Sequence, residues 1–238
     1  MLLELKGVKK SFGSLVVADD IDLSVAKGDA LGIIGPNGAG KTTLFNLITG
    51  GLLPDAGAVY FNGRDVTRVP AEKRCFAGIG RSFQVPLPFE GLSVFENLAV
   101  GGAFGQGKSV AQVQDQCIEI LELTGLINKA NTLAGALTLL ERKRLEMARA
   151  LATDPELLLL DEIAGGLTEM ECDALVGTIQ QVHQSGTTIV WIEHVVHALM
   201  RVVDRIFVLN FGRKIDEGAP EAVMNSAAVQ EIYMGIEA

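Results

Sequence analysis

The sequence predicts an α/β domain built on a mainly parallel sheet with helices on both faces. Three observations lead to that class. The stretches Leu157 to Leu160, Thr187 to Ile192 and Ile206 to Phe211 are near-continuous apolar runs of strand length, the pattern of strands buried on two faces. They alternate with segments of helical character. A further apolar run, Ala30 to Ile34, leads straight into a glycine-rich loop and then a helix.

The elements follow in order. Residues 1 to 26 alternate apolar and polar positions about a turn at Ser11 to Ser14, which predicts short antiparallel strands. Strand Ala30 to Ile34 is followed by the loop 35 to 40, and the helix from Lys41 to Thr49 is stopped by Gly50 and Gly51. From Phe89 to about Ala152 the chain reads as helical, with Gln112 to Leu123 the clearest helix and Gly125 its stop. Thr138 with Glu141, and Thr168 with Glu171, have the spacing of capping boxes that open two further helices. The first is expected to end near Asp154-Pro155 and the second near Gly186. A short helix from about Val195 and a single final helix over Pro220 to Tyr233 complete the prediction.

Composition narrows the function classes. In 238 residues, 48% are hydrophobic, yet no apolar run approaches the ~20 residues of a spanning helix. The opening Met1-Leu2-Leu3-Glu4 lacks the features of a secretory signal, so a cytoplasmic chain is expected. A net charge of −9 opposes a nucleic-acid partner, because phosphate neutralisation needs clustered Lys and Arg. Cys75, Cys117 and Cys172 are odd in number and far apart, which argues for packing rather than disulfides or zinc.

Two motifs carry chemistry. Gly35-Pro36-Asn37-Gly38-Ala39-Gly40-Lys41-Thr42 fits G-x-x-x-x-G-K-[ST] between a strand and a helix, the context of a phosphate-binding P-loop. Its backbone N–H groups and helix N-terminus suit phosphate; Lys41 is expected to reach the β and γ phosphates and the Thr42 hydroxyl to ligate Mg²⁺. Leu157 to Leu160 ends in Asp161-Glu162, at the strand end where open parallel sheets bind ligands. Asp161 is then expected to hold Mg²⁺ through water, and Glu162 to act as general base on an attacking water.

With these motifs in this order, the chain resembles the ATPases of ABC transporters over its whole length, and most closely the ATPase subunits of branched-chain (hydrophobic) amino acid importers. The resemblance runs through Phe12, the P-loop with Thr43 after it, Gln84 in Arg-Ser-Phe-Gln, Leu137 to Ala150, Asp161-Glu162, Ala164 to Thr168, and His194 in Ile-Glu-His. It implies a P-loop NTPase core of ABC type with an N-terminal antiparallel β subdomain, formed by residues 1–86 and 154–238, and an α-helical subdomain inserted at 87–153. It implies that Phe12 stacks on adenine, unless it fills the hairpin core, that Gln84 touches Mg²⁺ and the attacking water, and that His194 contacts the γ-phosphate. His183 and His197 have no such placement and read as surface residues. It implies ATP and Mg²⁺ as cofactors, a second ATPase subunit (a copy or a close relative), two transmembrane permease subunits and, indirectly, a periplasmic or surface solute-binding protein. The chain would then sit on the inner face of the membrane through the permease.

The segment expected to face the partner's ATP departs from the family pattern Leu-Ser-x-Gly-Gln/Glu, reading Leu137-Thr138-Leu139-Leu140-Glu141. Thr138 can serve as N-cap in place of serine. Leu140 cannot imitate glycine, whose missing Cβ lets backbone approach a phosphate. Ile163 also replaces the proline usual after the catalytic glutamate. Leu140 motivates a rival reading as a non-hydrolysing nucleotide module, against which stand Lys41, Glu162 and His194. ABC ATPases acting on DNA or ribosomes usually carry coiled-coil insertions or two cassettes, and lipopolysaccharide-export ATPases resemble the same sequence.

Overall fold

Strands β1 (Leu3–Phe12) and β2 (Leu15–Val25) form the antiparallel hairpin that the alternation predicts, with Leu3, Leu5 and Val8 of β1 turned into the core. The computed structural model describes residues 1–234. The chain falls into two units, Met1–Ala71 with Val190–Ala238, and Glu72–Ile189.

In the first unit, β3 (Ala30–Ile34) is buried along its whole length and leads into α1 (Lys41–Thr49), which Gly50 ends in the left-handed conformation. Strand β4 (Ala56–Phe61) pairs with the other edge of β1, and β5 (Arg64–Asp65) follows it, giving an antiparallel sheet in the order β2-β1-β4-β5.

The chain enters the second unit at α2 (Ala71–Phe76) and β6 (Ile79–Arg81). Helices α3 (Val94–Gln106), α4 (Val110–Leu123) and α5 (Leu139–Leu151) pack on one another, and β7 (Leu157–Asp161) and α6 (Glu169–Gln184) follow. Strand β6 lies parallel to β7, with Ile79 opposite Leu157 and Arg81 opposite Leu159. Both expected capping boxes are present on α5 and α6, and a third, Ser93 with Glu96, opens α3.

Strand β8 (Thr188–Ile192) carries the chain back into the first unit, where α7 (Val196–Leu199), β9 (Arg205–Asn210) and β10 (Arg213–Gly218) follow. Strand β9 runs parallel to β3 and forms an antiparallel hairpin with β10. The single helix expected over Pro220 to Tyr233 is two: α8 (Pro220–Met224) and α9 (Ala227–Met234). Asn225 and Ser226 separate them, residue types whose side chains compete for backbone hydrogen bonds and so favour helix ends. The Ser226 carbonyl accepts the first N–H groups of α9, from Val229 and Gln230. Among the described residues no helix is long and apolar enough to cross a membrane.

Candidate functional site

The residues expected to act divide between the units. Phe12, the loop from Gly35 to Thr43 and His194 lie in the first; Gln84, Thr138 to Glu141, Asp161 and Glu162 lie in the second.

In the first unit the loop from Gly35 to Gly40 joins buried β3 to α1. Backbone crowding leaves room only for glycine at its ends. A Cβ on Gly35 would stand 2.0 Å from the Leu209 carbonyl oxygen, and one on Gly40, at φ +106°, would stand 2.3 Å from that of Val17. Both distances are well inside van der Waals contact, so the loop can hug β2 and β9 only without side chains there. Asn37 and Gly38, at the crest, are exposed. Gly40 is also the N-cap of α1, offers no side chain to its first N–H groups, and no acidic residue stands in the first turn. That leaves a positive helix end suited to an anion. Lys41 is buried, and its Nζ donates to the carbonyls of Gly35 at 2.7 Å and Pro36 at 3.1 Å, which holds the ammonium across the loop. Thr42 is exposed and Thr43 half-buried.

Phe12, at the β1 end of the hairpin, is 49% exposed with Lys10 Nζ 5.6 Å from its ring centroid, so it does not fill the hairpin core. An exposed ring face is what stacking requires. His194 is exposed just past β8, its N–H donating to the buried Glu193 carboxylate at 3.1 Å. His197 is exposed and His183 is half-buried near the end of α6.

In the second unit β7 delivers Asp161, buried, and Glu162 directly after it. Glu162 has φ +47°, a left-handed conformation that bulky residues seldom adopt, and it turns the chain sharply at the strand end. Gln84 lies 78 positions away in sequence, yet its Nε2 donates to Glu162 Oε2 at 2.5 Å. With the nitrogen committed to the carboxylate, the amide Oε1 is left as the acceptor for a further contact. Asp161 Oδ2 accepts from Arg81 Nη2 at 2.7 Å, an ion pair whose side chains are 10% and 4% exposed. Sequence reading missed Arg81; its only signal was its place three residues before Gln84.

Thr138 caps α5: its Oγ1 accepts from Glu141 N at 3.4 Å and its own N–H donates to Glu141 Oε2 at 2.9 Å. That N–H, with the Lys129 ammonium beside it, holds the Glu141 carboxyl below the usual carboxylate range. Leu139 lies across Gly166, in the turn after Glu162, and Leu140 is half-buried. Ile163, where the resemblance leads one to expect proline, is buried and adds to the core.

A family profile described as ABC transporter matches residues 18–165. The high-affinity branched-chain amino acid transport ATP-binding protein LivG of Escherichia coli is 34% identical, with 98% of each chain covered. BraF of Pseudomonas aeruginosa, described in the same words, is 32% identical with 98% of each chain covered, and the lipopolysaccharide export system ATP-binding protein LptB of Haemophilus influenzae is 32% identical over 98% of this chain and 97% of that one. Among solved structures, the ADP conformation of an ATP-binding cassette of an ABC transporter superposes with a TM-score of 0.90 at 32% identity, and a nucleotide-free cassette with 0.89 at 31%, both covering 98% of each chain. A profile matched over more than half of the chain and relatives matched from end to end establish that it belongs to the ABC transporter ATP-binding family.

Proposed function

We propose that this chain is the ATP-binding and ATP-hydrolysing subunit of an ABC importer for branched-chain or other hydrophobic amino acids. In this reading the loop Gly35 to Gly40 and the N-terminus of α1 bind the phosphates, Lys41 neutralises the β and γ phosphates, and Phe12 stacks on adenine. Asp161, the Thr42 hydroxyl and Gln84 Oε1 are hard oxygen donors of the kind Mg²⁺ takes, and bound Mg²⁺ would supply charge neutralisation. Glu162 accepts a proton from water as the water oxygen bonds to the γ-phosphorus and the bond to the β-phosphate oxygen breaks, while His194 contacts the γ-phosphate. The observation that carries hydrolysis is the Gln84–Glu162 hydrogen bond, which joins two side chains assigned to the same water.

Two such chains, copies or close relatives, are proposed to sandwich two MgATP head to tail, each with Thr138 to Glu141 facing the other's P-loop. Two permease subunits would convert closing and opening into alternating access and hold the chain on the inner face of the membrane, and a solute-binding protein would deliver cargo. The names of LivG and BraF support an amino-acid cargo; that of LptB supports lipopolysaccharide export as the second reading. The permease that copurifies with the chain decides between them.

Phosphate release from MgATP tests the enzyme. Lys41→Ala should abolish binding of a fluorescent ATP analogue, because the phosphates lose their main cationic partner. Unchanged affinity would refute the role of Lys41.

A further inference from the structure

The Gln84 side chain is exposed and sits in a loop, yet it must hold a fixed distance to Glu162. Its flanks are anchored at both ends. At the start, Ser82 N–H donates to the Leu159 carbonyl of β7. At the far end, Asn97 of α3 accepts from Phe89 N–H at 2.9 Å and donates to the carbonyls of Phe89 and Ser93.

Between these ends the loop is gripped by α5. Glu146 and Arg149 stand one turn apart on that helix, and Arg149 Nη1 donates both to Glu146 Oε2 at 3.1 Å and to the Leu87 carbonyl at 3.0 Å. The Arg149 guanidinium also covers the Phe89 ring, 5.0 Å from its centroid. Glu146 is 6% exposed, with the backbone N–H groups of Phe83 and Leu87 near enough to its carboxylate to favour the charged form. Burial pushes this carboxyl above the usual carboxylate range, against the pull of Arg149 and those two N–H groups. A carboxylate kept in such a place bears a desolvation cost, and here it faces Arg149 and the backbone on either side of Gln84.

Helix α5 begins at the capped Thr138 segment. We infer that Glu146 is a positioning residue, which with Arg149 ties the Gln84 loop to α5 so that the distance from Gln84 to Glu162 follows the position of the helix whose first turn faces the partner subunit. This rests on the ATPase function proposed above. A movement of α5 of about an ångström would be passed to Phe83 and Leu87, and from Phe83 to the adjacent Gln84; errors of that size in a reacting group can cost on the order of 100-fold in rate. Nucleotide binding, which relies on Lys41 and the first unit's loop, would not share the effect.

The test compares the full chain with Glu146→Ala and Glu146→Gln, measuring turnover per bound nucleotide, KM for ATP, and hydrogen exchange of the Phe83 and Leu87 amides. Glutamine keeps an oxygen for those N–H groups and loses the charge. Alanine should lower kcat per occupied site by roughly 10- to 100-fold, with KM within about twofold, and should speed exchange at both amides; glutamine should restore most of the protection and most of the rate. If Glu146→Ala keeps wild-type turnover per site and wild-type protection at 83 and 87, or if it loses binding and turnover together without faster exchange at those amides, the inference is overturned. A wild type that binds ATP without hydrolysing it would count against the ATPase function alone, and the exchange comparison would still decide whether Glu146 holds the loop.

Discussion

Substituting Arg81 by methionine removes the guanidinium that meets Asp161 at 2.7 Å while keeping a stem of similar length to fill its place. The two side chains are 10% and 4% exposed, so water cannot replace the lost partner. Breaking one half of a pair buried to this degree costs about 3–5 kcal/mol, most of it the desolvation of the charge left behind. For a chain of 238 residues, each kcal/mol lowers Tm by about 2–4 °C, so a fall of roughly 6–20 °C is expected. Urea unfolding followed by far-UV circular dichroism gives the free energy directly. Removing both charges with Arg81→Met and Asp161→Leu should recover much of the loss, since apolar groups can replace a buried pair at little cost. MgATP should also stabilise Arg81→Met more than the wild type, because a bound cation would supply the charge that Asp161 has lost. A loss below about 1 kcal/mol in the single variant, or a double variant less stable than the single, would refute the argument that this pair carries a buried charge.

Other perturbations probe the chemistry. Glu162→Gln should lower phosphate release on the order of 100-fold or more with ATP affinity retained, and should trap an ATP-bound dimer visible by light scattering; wild-type turnover would mean that the base is another residue. Leu140→Gly should raise basal ATPase activity and tighten the ATP-bound dimer, since a missing backbone donor to a developing charge typically costs about 3 kcal/mol. Equal or slower turnover with and without permease would show a loop adapted to leucine. Glu141 and Glu171 are held below their ordinary value of 4.5, first of all by the backbone N–H groups of Thr138 and Thr168. Because the folded values are the lower ones, this stabilisation is complete above pH 4.5 and drains away as pH falls through the folded values. Unfolding free energy should therefore decline on acidification below that point, and less steeply in Glu141→Gln.

Local chemistry was the legible part of this chain. The strand, glycine loop and helix around Lys41 read directly, because each step is dictated by residues within a few positions of it, and the Ala30–Ile34 and Lys41–Thr49 boundaries coincide with the structure. The capping boxes at Thr138 and Thr168 are equally local, and Ser93-Val-Phe-Glu96 carried the same spacing at the start of α3. Strand β10 (Arg213–Gly218) was opaque: its residues are mostly polar and partly exposed, and only pairing with β9 makes it a strand. The site divides along the same line. Asp161 and Glu162 announce themselves as a strand end, whereas Arg81 acquires its role by a meeting across 80 positions that periodicity does not encode.

The left-handed backbone at Glu162 has an evolutionary side. Glycine or asparagine would relax that φ of +47°, so a population screened for heat resistance alone would drift away from glutamate at this position. Under the general-base role proposed for it, glutamate here would be held by selection for turnover. A chain that had retired from hydrolysis to become a passive nucleotide sensor would be expected to record the change here, at a residue whose left-handed backbone folding alone does not favour.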